Sequence, residues 1–230
     1  MADKYVDGHQ RVVFWNVDTQ YDFMRDDESF RGALAIPGAK DIEGNLEALT
    51  LLAKDTSRKV VNTADWHTLN SEEISDNPDF VNTFPPHCIM YTKGAEYIPA
   101  TAPKHSEIIY EIDWRDKEIS ETELFKRRNI ILYKDKFDIF AGNKHTGKVL
   151  ELLNPDAVVV YGVATNVCVD YAVRGLLERR KDRTDIYVVQ DAIKELPNLP
   201  LEETISGWWN AGAKMVSTDK VYQVLNRHRM

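Results

Sequence analysis

The chain has 230 residues, with 29 Lys and Arg against 37 Asp and Glu, a net charge of −8 that argues against nucleic acid as a partner. With 43% hydrophobic and 29% charged residues the composition is that of an ordinary globular protein, long enough for one sizeable core. Two cysteines far apart in sequence point to a reducing, cytoplasmic setting, the first residues lack a signal-peptide core, and no run approaches the roughly 18 apolar residues of a membrane span.

In chain order, residues 12–17 form a β-branched and aromatic run that predicts a first strand ending at Asp18. Ile42, Leu46, Leu49 and Ala53 recur at helical spacing and predict an amphipathic helix. A second strand, 59–64, ends at Asp65. Residues 66–129 are rich in Pro, Asn, Asp and Glu without a clean period and predict a long, loop-rich excursion that carries site residues. A third strand, 130–133, ends at Lys134; a fourth, 157–163, leads through a short turn to Cys168. Val169, Ala172, Leu176 and Leu177 mark the next helix, 185–190 a fifth strand, Glu202 and Glu203 the start of another helix, and 214–218 a sixth strand. Near-continuous apolar strands alternating with helices predict an α/β fold: one three-layer, doubly wound domain over 1–230, with a mainly parallel six-stranded sheet and helices on both faces.

In such sheets ligands bind beyond the carboxyl ends of the strands, where Asp18, Asp65, Lys134 and Cys168 all fall. Cys168 is the candidate nucleophile, since a thiol at a helix start is expected to have its pKa lowered; the competing reading is a small buried apolar residue. Asp18 suits a proton acceptor and Lys134 a stabilising cation, though each alone could be a plain strand-end charge. Asp65 and His67, two apart, point the same way from an extended segment, and His87 supplies a third donor from a distant loop. Carboxylate and imidazole donors suit one divalent ion, Zn²⁺, Fe²⁺ or Mn²⁺. Cys88 sits in that loop as a bystander, and His9, His105, His145 and His228 are expected to face solvent.

Asp18-Thr19-Gln20-Tyr21-Asp22-Phe23, Asp65-Trp66-His67, Pro85-Pro86-His87-Cys88 with Gly94-Ala95-Glu96, and Gly162-Val163-Ala164-Thr165-Asn166-Val167-Cys168-Val169 follow one another in a set order. Together these segments resemble the isochorismatase-like cysteine hydrolases, and within them the nicotinamidase branch. The resemblance implies a catalytic triad of Asp18, Lys134 and Cys168, with Lys134 preferred over nearby Lys136. It implies a metal ion, zinc first among the three, held by Asp65, His67 and His87, with Glu73, or else Asp76 or Asp79, as a further ligand. A cis Val163–Ala164 bond, an oxyanion site at the Ala164 and Cys168 N–H groups, and a ring enclosed by Phe23, Phe84 and Phe137 are implied as well. The expected reaction is hydrolysis of nicotinamide to nicotinate and ammonia through a cysteine thioester, with a small aromatic carboxamide as partner, no nucleic acid or membrane, and a homo-oligomeric assembly. Another amide or carbamoyl hydrolase of the family, or a non-catalytic small-molecule binder, are the alternatives. Phe84 stands where many nicotinamidases have Trp, and residues 97–129 match no family motif; a lid, an oligomer contact or a solvated excursion are the readings for that segment.

Overall fold

The computed structural model describes residues 11–103, 109–181, 183–197 and 199–228; His9 and His105 lie outside them. Its centre is a parallel sheet whose strands are β1 (Val12–Val17), β4 (Lys59–Asp65), β5 (Ile109–Ile112), β6 (Asn129–Lys134), β7 (Ala157–Val163), β8 (Asp185–Lys194) and β9 (Lys214–Val216). They lie in the order β5-β6-β4-β1-β7-β8-β9. A small antiparallel hairpin, β2 (Asp26–Asp27) with β3 (Phe30–Arg31), stands apart from the sheet.

Side-chain alternation along the buried strands builds two cores. Val12 and Phe14 of β1 face one side, where α2 (Glu43–Asp55) brings Leu46 and Leu49 and α8 (Val221–Arg227) brings Val224 and Leu225. Val13, Trp15 and Val17 face the other, against α3 (Glu121–Lys126), α5 (Thr146–Leu153), α6 (Cys168–Arg179) and α7 (Glu202–Asn210). Both faces of the sheet are therefore covered, which is why its strands read as unbroken apolar runs. The helical stripe holds: Leu46, Leu49 and Ala53 are fully buried, and burying each leucine contributes about 1.5–3 kcal/mol. Two one-turn helices, α1 (Tyr21–Met24) and α4 (Ile139–Gly142), follow the ends of β1 and β6. Among the described residues, no helix is long and apolar enough to cross a membrane.

The sheet has seven strands rather than six. The extra one, β5, lies inside the 66–129 segment and pairs in parallel with β6 at the sheet edge. Its sequence is Ile-Tyr-Glu-Ile and only Ile112 is buried, so the run is too short to show a period. The same segment holds α3, whose N-cap Ser120 accepts a hydrogen bond from the Glu123 amide. Among the described residues of 97–129, Ile98, Ile112 and Leu124 are fully buried and anchor this segment to the core, while 115–118 and 120–122 are exposed.

Strand order decides where a ligand binds. The chain leaves β1 toward β4 and β6 on one side, then crosses to β7 on the other, so the connections after β1 and β7 diverge and leave a crevice at their carboxyl ends. The two strands approach closely there: a Cβ on Gly162, whose φ is +120°, would stand 2.0 Å from the Val17 carbonyl oxygen.

Candidate functional site

Four neighbouring strands, β6, β4, β1 and β7, deliver one polar residue each to that crevice. Lys134 and Asp65 are the last residues of β6 and β4 and are paired in register. Asp18 follows β1 directly, with a left-handed backbone at φ +48°. Cys168 opens α6 after the turn that leaves β7, where the Val163–Ala164 peptide is cis. All four side chains are buried.

Lys134 is the hub. Its Nζ stands 3.0 Å from Asp18 Oδ2 and 3.6 Å from Cys168 Sγ, and it donates a short hydrogen bond to Asp65 Oδ1. Asp18, Asp65 and Cys168 each bring one atom within 4.8 Å of the others. Burial pulls the ammonium's pKa down, but the two carboxylates outweigh it and hold Lys134 well above its ordinary value. Burial pushes Asp18 up despite the opposing pull of Lys134. Cys168 is also pushed well above an ordinary thiol by burial, with Lys134 pulling the other way. The expectation of a thiol lowered by its helix start is thus reversed: desolvation in a 6% exposed site prevails.

Beside that cluster lies a group of metal-type donors. Asp65 Oδ2 is 3.7 Å from His67 Nε2 and 3.6 Å from His87 Nε2, and the three donor atoms lie within 4.8 Å of one another. A backbone ladder holds the two imidazoles together: the His67 amide donates to the Cys88 carbonyl, and the Met90 amide to the His67 carbonyl. His87 Nδ1 is 2.7 Å from the Pro85 carbonyl, which turns its Nε2 toward Asp65. His67 is fully buried, and among the described residues neither of its ring nitrogens has a hydrogen-bond partner. A buried imidazole with no close hydrogen bond among the described residues, facing a carboxylate that burial pushes up but Lys134 and the histidines hold well below its ordinary range, is a donor set that fits a divalent cation.

Glu73 is outside that three-atom group. Its Oε1 accepts from the Phe137 amide at 3.0 Å, while its buried Oε2 has no partner among the described residues. Burial raises its carboxyl to about 7. Asp79 is engaged elsewhere, since its Oδ1 accepts from the Val81, Asn82 and Thr83 amides of its own turn, and Asp76 is exposed. Lys136 reaches outward to Glu72 rather than into the site.

Next to Cys168 a pocket opens, with about 330 Å³ of space including its mouth. Phe23, Phe84, Phe137 and Ala164 line it, with Asp65 and His87 at one side. The sequence reading missed Leu34, Ile36, Val167 and Leu196, which complete the wall. Residues remote in the chain leave no local signal of a shared cavity. It also missed three supports that lie in or beside the quoted motifs. Thr63 Oγ1 donates to Asp18 Oδ1 at 2.6 Å. Gln20 accepts from the Asp65 amide and donates to the Asp65 and Ala95 carbonyls, tying β1 to the metal-type loop. Asp22 accepts from the Cys88 and Ala33 amides, and its carboxylate packs so close to Gly94 that a Cβ there would lie 2.1 Å away. A polar residue inside an apolar strand run was the available signal for Thr63.

Cys88 is buried within the packing of that loop, its Sγ 3.8 Å from the Gly94 carbonyl. Two histidines expected at the surface are not there. His145 is buried beside α5, its Nε2 2.9 Å from the Asp116 carbonyl, because the turn after β5 folds over it. His228 is half-buried against Tyr187, 3.7 Å from Asp185.

Comparison with known proteins places this fold. The pyrazinamidase of Pyrococcus horikoshii, solved in complex with zinc, superposes with a TM-score of 0.68 at 22% identity, covering 90% of this chain and 99% of that one. The N-carbamoylsarcosine amidase of Thermoplasma acidophilum gives 0.66 at 18% identity, covering 91% and 98%. At these identities the likeness shows a shared fold. A curated nicotinamidase/pyrazinamidase of Mycobacterium tuberculosis is 30% identical over 94 residues, a match that spans 41% of this chain and 47% of that relative. The isochorismatase domain model matches residues 13–219, from β1 to the segment after β9, and the chain accordingly belongs to the isochorismatase family.

Proposed function

We propose that the protein is a metal-dependent amidase that hydrolyses nicotinamide to nicotinate and ammonia through a thioester on Cys168. The observation that carries this reading is the meeting of the Asp18–Lys134–Cys168 cluster with a pocket walled by Phe23, Phe84 and Phe137. Among the described residues lining that pocket the ionisable groups are Asp65, His87 and Cys168, and no lysine or arginine is present to receive a substrate carboxylate. A flat, uncharged carboxamide suits such walls; a carbamoyl acid does not. The partial match to a nicotinamidase/pyrazinamidase and the zinc-bound pyrazinamidase neighbour support the same choice.

Because burial keeps the Cys168 thiol protonated, proton transfer belongs to the reaction itself. Asp18 accepts the Sγ proton as sulfur attacks the carboxamide carbon, and Lys134 stabilises the developing thiolate. The N–H groups of Ala164 and Cys168 hold the oxyanion. Collapse breaks the C–N bond, and Asp18 returns its proton to the leaving nitrogen, releasing ammonia. Asp18 then takes a proton from water as the hydroxyl adds to the thioester; collapse expels the Cys168 sulfur, which regains that proton from Asp18, and the carboxylic acid leaves as nicotinate, its proton passing to ammonia. Asp65, His67 and His87, with Glu73 as the further carboxylate, would hold a divalent ion, zinc by the choice above, that when bound supplies a Lewis-acidic anchor for a ring nitrogen.

The test is ammonia release over a panel of pyridine carboxamides and carboxylate-bearing carbamoyl amides, with and without chelator. Turnover of the neutral ring amides, lost with chelator and lost in Cys168→Ala, is expected. Wild-type turnover by Cys168→Ala overturns the mechanism, and preference for the carbamoyl acids overturns the substrate.

A further inference from the structure

The nucleophile turn does more than present Cys168. Asn166, two residues before it, sends its side chain away from the triad to the loop that follows β8. There its Nδ2 donates to the Leu196 carbonyl at 2.9 Å and to the Leu199 carbonyl at 3.3 Å, and its Oδ1 accepts from the Leu196 amide at 2.9 Å. Both backbone polar groups of Leu196 are thus taken by one side chain, in the manner of a strand pair. Leu196 in turn lines the pocket, on the same wall as Val167 and Cys168. The backbone contributes a separate tie at the root of the loop, where the Thr165 amide donates to the Lys194 carbonyl at 2.8 Å.

We infer that Asn166 is a specificity-determining positioning residue, which holds the Leu196 wall at a set distance from Cys168 and so fixes how wide a ring the pocket accepts. The inference rests on the amidase reading above for its substrate. Asn166 touches neither the sulfur nor the pocket lumen; it acts through Leu196. Three hydrogen bonds on a half-buried amide are far more than a surface asparagine needs, and among the described residues from Glu195 to Pro200 none belongs to a helix or strand. Without them the loop keeps its root at Lys194 but loses its hold on the turn, and the apolar wall loosens. Loss of one close apolar contact in a specificity pocket costs about tenfold in discrimination.

The experiment compares wild type with Asn166→Ala, Asn166→Asp, Leu196→Ala and the Asn166→Ala/Leu196→Ala double variant. Two readouts are taken: hydrogen–deuterium exchange of the segment from Glu195 to Pro200, and kcat and KM for a simple pyridine carboxamide and for ring-substituted, bulkier carboxamides. In Asn166→Ala the segment is expected to exchange faster, KM for the simple amide to rise about tenfold with kcat little changed, and the bulkier amides to gain relative to it. Asn166→Asp, which keeps the acceptor for the Leu196 amide but loses both donors, is expected to fall between, and it provides a second test if the alanine variant fails to fold. Because Asn166 acts through Leu196, its effect on KM is expected to vanish in the Leu196→Ala background. Unchanged exchange in both Asn166 variants overturns the clamp. A fall in kcat at constant KM, or full additivity with Leu196→Ala, overturns the specificity role. A wild-type protein that hydrolyses none of the amides refutes the amidase reading and the specificity role with it, while the exchange data still decide whether the clamp exists.

Discussion

Replacing Thr63 by valine removes one atom's worth of chemistry from the Asp18–Lys134–Cys168 cluster while preserving shape. Thr63 is fully buried on β4, and its hydroxyl donates to Asp18 Oδ1 at 2.6 Å, so Asp18 Oδ2 is left to face Lys134. The backbone around it is independent of the hydroxyl, since the Asp18 amide and the Tyr97 hydroxyl both donate to the Thr63 carbonyl. A hydrogen bond to a charged group contributes about 1.5–3 kcal/mol. This one favours the ionised form, and at about 1.4 kcal/mol per pKa unit its loss raises the Asp18 pKa by up to about one to two units. The sign follows directly: burial already holds Asp18 above its ordinary value, the Thr63 bond is among the forces pulling it down, and the variant gives up that pull. If Asp18 must be ionised to take the thiol proton, the acid limb of kcat/KM moves to higher pH in Thr63→Val, while the plateau above the limb is largely retained. The unpartnered carboxylate oxygen also costs about 1–3 kcal/mol of stability, readable by urea unfolding. Thr63→Ser, which restores the hydroxyl, is expected to return the limb toward wild type. A uniform fall in rate with the limb unmoved, or a limb moved to lower pH, would refute the assignment of Asp18 as the base.

Metal content measured by mass spectrometry is expected to fall sharply in His67→Ala and His87→Ala and to a lesser degree in Glu73→Gln, whose buried Oε2 has no other partner. Asp79→Asn and Asp76→Asn should leave it unchanged, because Asp79 is bound to its own turn and Asp76 is exposed; retained affinity in Glu73→Gln with loss in Asp79→Asn would reverse the choice of ligand. Gly162→Ala should unfold the protein or lower its midpoint steeply in thermal melts, since the added Cβ meets the Val17 carbonyl at 2.0 Å between two central strands. A stable, active Gly162→Ala protein would show that β1 and β7 can part without cost.

The sequence by itself determined most of the frame and the residues of the cluster. Strands buried on both faces must be apolar throughout, so β1, β4, β6, β7 and β8 announced themselves as runs, and a polar or reactive residue at the end of such a run stands out. That is why Asp18, Asp65, Lys134 and Cys168 are legible in the sequence. Tertiary structure decided what depends on neighbours remote in the chain. The edge strand β5 is half-exposed and four residues long, too short for periodicity to detect. His145 became buried only because the turn carrying Asp116 folds over it. The Cys168 pKa went up rather than down because enclosure by the surrounding elements outweighs any benefit of a helix start. Thr63, Leu34 and Leu196 entered the site through contacts across 45, 134 and 28 positions from the residues they serve, Asp18 and Cys168, and no local pattern encodes such distances. Local chemistry is written residue by residue, whereas burial, pairing and the shape of a pocket are properties of the assembled chain.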